Sequence, residues 1–106
     1  MIKTSKIKYR SKKLRDSAQY EACVSCGAND GTIVWAHSNF QRHGKGMSTK
    51  AHDLFGAYLC QHCHNWLDGR PVANIPQSVG RLKLGDWFNI MWERSMIIAC
   101  EKGYLI

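Results

Sequence analysis

The sequence has no long apolar run, no internal repeat and no low-complexity block. Without an apolar run there is no candidate membrane span. The opening MIKTSKIKYRSKKLR is too charged for the apolar centre of a secretory signal, so the expected compartment is the cytoplasm. The glycines and lysines of residues 38–50 lack the GxxxxGK[ST] spacing, which excludes a phosphate-cradling P-loop. Acidic residues are also missing at the start: none precedes Asp16. At 106 residues there is room for one domain, with a core thin enough for an added cross-link to matter.

What is present is positive charge. The net charge is +7, from 15 basic and 8 acidic residues. Lys3, Lys6, Lys8, Arg10, Lys12, Lys13 and Arg15 all precede the first acid. Residues 1–15 therefore read as a flexible basic arm, and residues 16–106 as a single domain. Such an arm suits a polyanion, most simply nucleic acid, because each phosphate neutralised releases condensed counterions. The plain alternative is a solvated tail that aids solubility. Ile2, Ile7, Tyr9 and Leu14 make no apolar helical face, which argues against a membrane surface. Arg42, Lys45 and Lys50 add a second basic stretch in the 38–50 loop.

Five cysteines are present. Cys23 and Cys26, and again Cys60 and Cys63, form two CxxC pairs. A tight turn lets both sulfurs of a pair face one ion, and two pairs complete a tetrahedron, so the expected cofactor is a structural Zn2+. A disulfide framework fits poorly with the odd count and the absent signal. A redox CxxC lacks the βαβ pattern that accompanies it.

The coarse pattern is α+β. A short helix over residues 16–22 starts at Asp16 or Ser17. Residues 32–37 and 54–59 read as strands, the second interrupted by Gly56. A short helix is expected over 61–68, and a longer one from an Asp86 cap to Lys102, with Gly103 in the C′ role. Trp87, Ile90, Met91, Ile97 and Ile98 line one face of the long helix, with Cys100 as a buried hydrophobe.

The histidines lie beside the second cysteine pair. His64 and Asp68 are four apart and share a helix face, a spacing that can hold one cation or a plain surface contact. His37 ends the first strand, and His52 and Asp53 precede the second. If the strands form a hairpin with the helix across it, these residues converge. Phosphodiester hydrolysis needs such a set: a base to activate water, and a cation to stabilise the crowded phosphorane and the leaving oxygen. A neutral histidine can be that base near pH 7. His43 and His62 are expected bystanders, His62 facing solvent from inside its CxxC turn.

KKLRDSAQYEAC, VWAHSNF, KAHDLFGAYLCQHCHNWLD and ERSMIIACEKGYLI together resemble the HNH, or ββα-metal, nuclease family. Within it the likeness is to phage and prophage YbcO-type nucleases and the recombination-enhancement nuclease domain of temperate phages. The resemblance covers most of residues 12–106. It implies a small zinc-stabilised ββα-metal core with an additional C-terminal helix and a basic N-terminal arm. It also implies a DNA endonuclease working in phage recombination or DNA processing, with His37 as general base and His64 as metal ligand. Two positions depart from the commonest pattern. Ala36 stands where an acid usually precedes the base, and Asp53 or His52 stands for the asparagine that orients it. The remaining candidates for the catalytic cation are Asp53, His52 and Asp68. That cation is Zn2+, Mn2+, Ni2+ or Mg2+, histidine ligands favouring the first three. The implied partners are DNA and a recombinase, with no membrane. A zinc-stabilised binding module that does not cut is the first alternative, favoured by Ala36. A zinc protein-interaction domain is the second.

Overall fold

The computed structural model describes residues 9–46 and 50–105. Its α-helices are α1 (Lys12–Asp16), α2 (Gln61–Leu67) and α3 (Leu84–Glu101). Two strands, β1 (Val34–His37) and β2 (Gly56–Leu59), pair antiparallel. Single 3-10 turns cover Ser17–Tyr20, Gln41–His43 and Gln77–Val79. The result is a small α+β fold in which β1, β2 and α2 follow one another. No described helix is long and apolar enough to cross a membrane.

The strand register is Val34 with Leu59, Trp35 with Tyr58, Ala36 with Ala57 and His37 with Gly56. Alternation along the strands divides the core in two. Ala36, Ala57 and Leu59 pack with Leu67 of α2 and Trp87, Phe88 and Met91 of α3. Trp35 and Tyr58 pack with Leu14 of α1, Ala18 and Ala99. Their rings meet edge-on at 4.9 Å, a favourable aromatic geometry. His37, two residues beyond Trp35, lies on the α1 face of the sheet.

The free edge of β2 is covered without a third strand. Tyr58 N–H donates to Ser95 Oγ, and the Tyr58 carbonyl accepts from Val24 N–H. At the other end of the chain, Lys102 Nζ and the Tyr104 hydroxyl both bind the buried Glu21 carboxylate. The end of α3 is thereby tied to the segment just before Cys23.

Several expectations need correction. The short helix begins four residues early, at Lys12, because Ser11 Oγ accepts the Leu14 N–H as an N-cap. Leu14 is fully buried, so the basic segment does not remain a free arm to residue 15. The long helix starts at Leu84 after Lys83, and Asp86 sits inside its first turn, where a carboxylate favours the positive end of the helix dipole. Gly103 does take the left-handed position, at φ 75°. The buried stripe of α3 is Trp87, Phe88, Met91, Ser95 and Ala99; Ile97 and Cys100 are exposed. Trp87, Met91, Ser95 and Ala99 keep helical spacing, which puts Ile97 and Cys100 off the stripe.

Gly56 opens β2 rather than interrupting it. A Cβ there would collide with the Trp35 indole, whose Nε1 donates to the Asp53 carbonyl at 2.8 Å. Overpacking of this kind costs about 1–3 kcal/mol. Gly56→Ala is expected to lower the unfolding free energy by that amount, seen as a lower urea midpoint with an unchanged slope. A wild-type midpoint would show that the indole can move aside.

Candidate functional site

Cys23, Cys26, Cys60 and Cys63 converge, with ligand atoms all within 4.8 Å of one another. Cys26 Sγ and Cys60 Sγ are 3.6 Å apart. Four sulfurs about 2.3 Å from one Zn2+ would be separated by roughly 3.8 Å, so this set fits a tetrahedral zinc ion. The local fold explains the convergence. Gly27 N–H donates to the Cys23 carbonyl and Cys23 N–H to the Ala28 carbonyl, closing the first turn. Cys60 immediately precedes α2, whose first turn brings Cys63 to the same side. The hydrogen bond with Cys63 draws the Cys23 thiol down to about 4, while that bond and burial push Cys63 up. Burial raises Cys26.

A second arrangement is centred on Asp53, which is fully buried. Its Oδ1 lies 2.6 Å from His37 Nε2 and 3.4 Å from Arg10 Nη1. Its Oδ2 accepts the Ser11 N–H at 2.6 Å and lies 3.3 Å from Arg15 Nε. Burial raises the Asp53 carboxyl, but the His37 hydrogen bond, the Ser11 N–H and Arg15 outweigh it and hold it below its ordinary value. An ionised carboxylate only accepts, so His37 Nε2 carries the hydrogen and Nδ1 keeps its lone pair. Burial also lowers the His37 value, and the pull of Asp53 does not restore it. The net of the two effects favours the uncharged imidazole, with its hydrogen on the nitrogen that faces Asp53.

His37 opens on a cleft of about 830 Å3. Arg15, Lys45, Lys50 and Arg70 contribute positive charge to its walls, and His64, Asp68 and Asn39 line it too. On α2, His64 Nε2 is 3.3 Å from Asp68 Oδ2. Asn39 Nδ2 donates to Asp68 Oδ1 at 2.8 Å. This i,i+4 pair could serve as two ligands of one divalent ion, while the cluster of three or more candidate ligands among the described residues is the four cysteines. Water would complete the shell of such an ion.

A family model described as a protein of unknown function, DUF968, matches residues 1–96. The chain belongs to the DUF968 family. No curated protein and no solved structure matches it.

In this DUF968 chain the expected site residues do not all converge. His37, His64, Asp68, Arg15, Lys45 and Lys50 line one cleft. Asp53 joins them only through His37, its fully buried carboxylate meeting four donors from His37, Arg10, Ser11 and Arg15. His52 is not brought to the cleft, because its Nδ1 accepts the Tyr9 N–H at 2.9 Å. Arg10 is committed to the carbonyls of Ala51 and Lys50 as well as to Asp53. Lys12 pairs with Asp16, and Arg42 stacks over Phe40. Lys13 is exposed on α1 and does not line the cleft. Lys3, Lys6 and Lys8 lie outside the described residues. Of the bystanders, His62 is exposed, and His43 stacks on Phe55 at 4.2 Å while bonded to Ser38 Oγ.

Sequence reasoning missed Ser11, Asn39 and Arg70. Ser11 was detectable as a capping residue ahead of KKLRD. Asn39 and Arg70 carry no spacing signal, since only the folded chain puts them beside Asp68 and the cleft.

Structural zinc binding is worth about 10–16 kcal/mol in small peptides, comparable with the stability of a whole domain. Chelation at neutral pH is expected to unfold the chain. A far-ultraviolet spectrum unchanged after verified metal removal would mean that the four sulfurs do not hold the fold.

Proposed function

We propose that the chain is a metal-dependent endonuclease that hydrolyses phosphodiester bonds in DNA. The observation that carries this reading is His37 Nε2 set 2.6 Å from the buried Asp53 carboxylate, on a ring that lines a basic cleft together with His64 and Asp68. The order β1, β2, α2, with His37 at the end of β1 and His64 on α2, supports an HNH-like ββα core.

Each part has a chemical task. Arg15, Lys45, Lys50 and Arg70 attract and seat the phosphate backbone. Nδ1 of His37 accepts a proton from water as the oxygen attacks phosphorus and the bond to the 3′ oxygen breaks, that oxygen leaving and taking up a proton from water. Asp53 stabilises the imidazolium that forms and holds the ring in one tautomer. His64 and Asp68 are the residues that would hold a divalent cation. When bound, such a cation supplies electrostatic stabilisation of the phosphorane and of the leaving 3′ oxygen. The setting we infer is phage recombination or DNA processing, with DNA as the partner and a structural zinc on the four cysteines.

His37→Ala is expected to abolish nicking of supercoiled plasmid in the presence of Mn2+, with folding and DNA binding retained. A fully active variant would remove the proposed base. If neither wild type nor variant cuts with any divalent cation while both bind DNA, the binding-module reading takes its place.

The lowered His37 value also fixes the direction of the pH dependence. The base stays uncharged to a lower pH than a free histidine, whose value is near 6.5. The acid limb of kcat/KM is therefore expected to have its midpoint below about 6.5. A midpoint above that would assign the limb to another group.

Phosphate binding is read from salt dependence. Removal of residues 1–8, which keeps Arg10, Ser11 and Leu14 in place, is expected to flatten the log–log slope. The change is up to ~0.9 for each phosphate that those residues neutralise. An unchanged slope would restrict phosphate binding to the cleft.

A further inference from the structure

We propose that Asn39 is a positioning residue that fixes the Asp68 carboxylate for coordination of the cleft cation. This rests on the reading of His64 and Asp68 as that cation's ligands. Asn39 lies two residues beyond His37, on the exit from β1. Its Nδ2 donates to Asp68 Oδ1 at 2.8 Å and reaches the Leu67 carbonyl at 3.4 Å. An amide nitrogen has two hydrogens, so one side chain can serve both acceptors.

Asp68 needs such a partner. It is the C-cap of α2, at the last point where the helix controls its backbone, and its side chain faces the cleft from the exposed side. Asn39 takes Oδ1, and Oδ2 stays turned toward His64 Nε2 at 3.3 Å. The chemistry of the partner matters as much as its position. A lysine or arginine here would cancel the carboxylate charge and compete with a cation. A neutral amide orients the carboxylate and keeps its negative charge available. Because Asn39 belongs to the same short segment as His37, it also ties the strand that carries the base to the helix that carries the cation ligands.

The competing role is purely structural: Asn39 as a tether for the end of α2. The two roles differ in what a substitution changes. Removing an outer partner of a metal ligand typically weakens metal affinity by about 10–100-fold. The test is Mn2+ binding to the zinc-loaded chain, followed by the electron paramagnetic resonance signal of free Mn2+. Asn39→Ala and the near-isosteric Asn39→Leu are compared with His64→Ala and Asp68→Ala. Zinc content and far-ultraviolet spectra report on the fold of each variant. Both Asn39 variants are expected to weaken Mn2+ binding by about 10–100-fold with zinc content and fold intact. Asn39→Leu keeps the volume, so it answers the question if Asn39→Ala is poorly folded. Wild-type Mn2+ affinity in the folded Asn39 variants, beside weakened binding in His64→Ala and Asp68→Ala, would overturn the positioning role and leave the cation site standing. Absence of Mn2+ binding by wild type, or unchanged binding in His64→Ala and Asp68→Ala, would overturn the cation site and this role with it.

Discussion

A single buried carboxylate connects the parts of this molecule. Asp53 joins the N-terminal segment, through Ser11, Arg10 and Arg15, to β1 through His37. An unpaired charge in that position would be untenable, and removing one partner from a buried pair typically costs about 3–5 kcal/mol. The loop that carries Asp53 is also pinned on both sides by indole donors. Trp35 Nε1 binds the Asp53 carbonyl, and Trp92 Nε1 binds the Leu54 carbonyl at 2.6 Å. A further bond runs from Asp53 N–H to the Tyr9 carbonyl at 3.0 Å. The orientation of His37 is therefore set by α1, β1 and α3 together, not by one local turn.

The cysteine cluster acts at the opposite side of the same strands. Cys60 follows directly on β2, and Cys63 lies in the first half of α2, so whatever holds these sulfurs fixes the angle between strand and helix. His64 is the next residue after Cys63. Its placement relative to His37 thus depends on two anchors: the sulfur cluster positions the helix, and Asp53 positions the ring. Two anchors in so small a core explain how a two-stranded sheet can present residues from three separate segments to one cleft. A two-stranded sheet alone would be marginal in water.

Much of this is legible in the sequence, and the reasons differ by element. The CxxC spacing is local chemistry, so the cluster of Cys23, Cys26, Cys60 and Cys63 can be read directly. Both strands, α2 and α3 show in composition and periodicity, with errors at their ends, whereas the helix expected over 16–22 shares only Asp16 with α1 and otherwise covers a 3-10 turn. The start of α1 is hidden because the run of charge around it masks a cap: Ser11 and Leu14 look like part of a tail, although one caps the helix and the other is buried. Cys100 is misleading because its residue type suggests burial while its helical phase puts it outside. Spacing cannot separate the roles of Asp53 and His52, since they are neighbours in sequence. Only the fold turns the Asp53 carboxylate inward to His37 and points the His52 ring at the backbone of Tyr9.

Charge accounting gives the two arginines next to Asp53 a further consequence. A carboxylate beside a base is useful for holding a tautomer, yet it would repel a phosphate arriving in the same cleft. Arg10 and Arg15 offset that charge, and Arg15 also belongs to the cleft wall. Asp53 therefore adds no net negative charge beside His37. The Asp68 carboxylate is treated differently. Its partners among the described residues are a neutral amide and a histidine, so its charge is not cancelled by a fixed cation. The two carboxylates thus differ in how their charge is balanced: Asp53 by fixed guanidinium groups, Asp68 by none among the described residues.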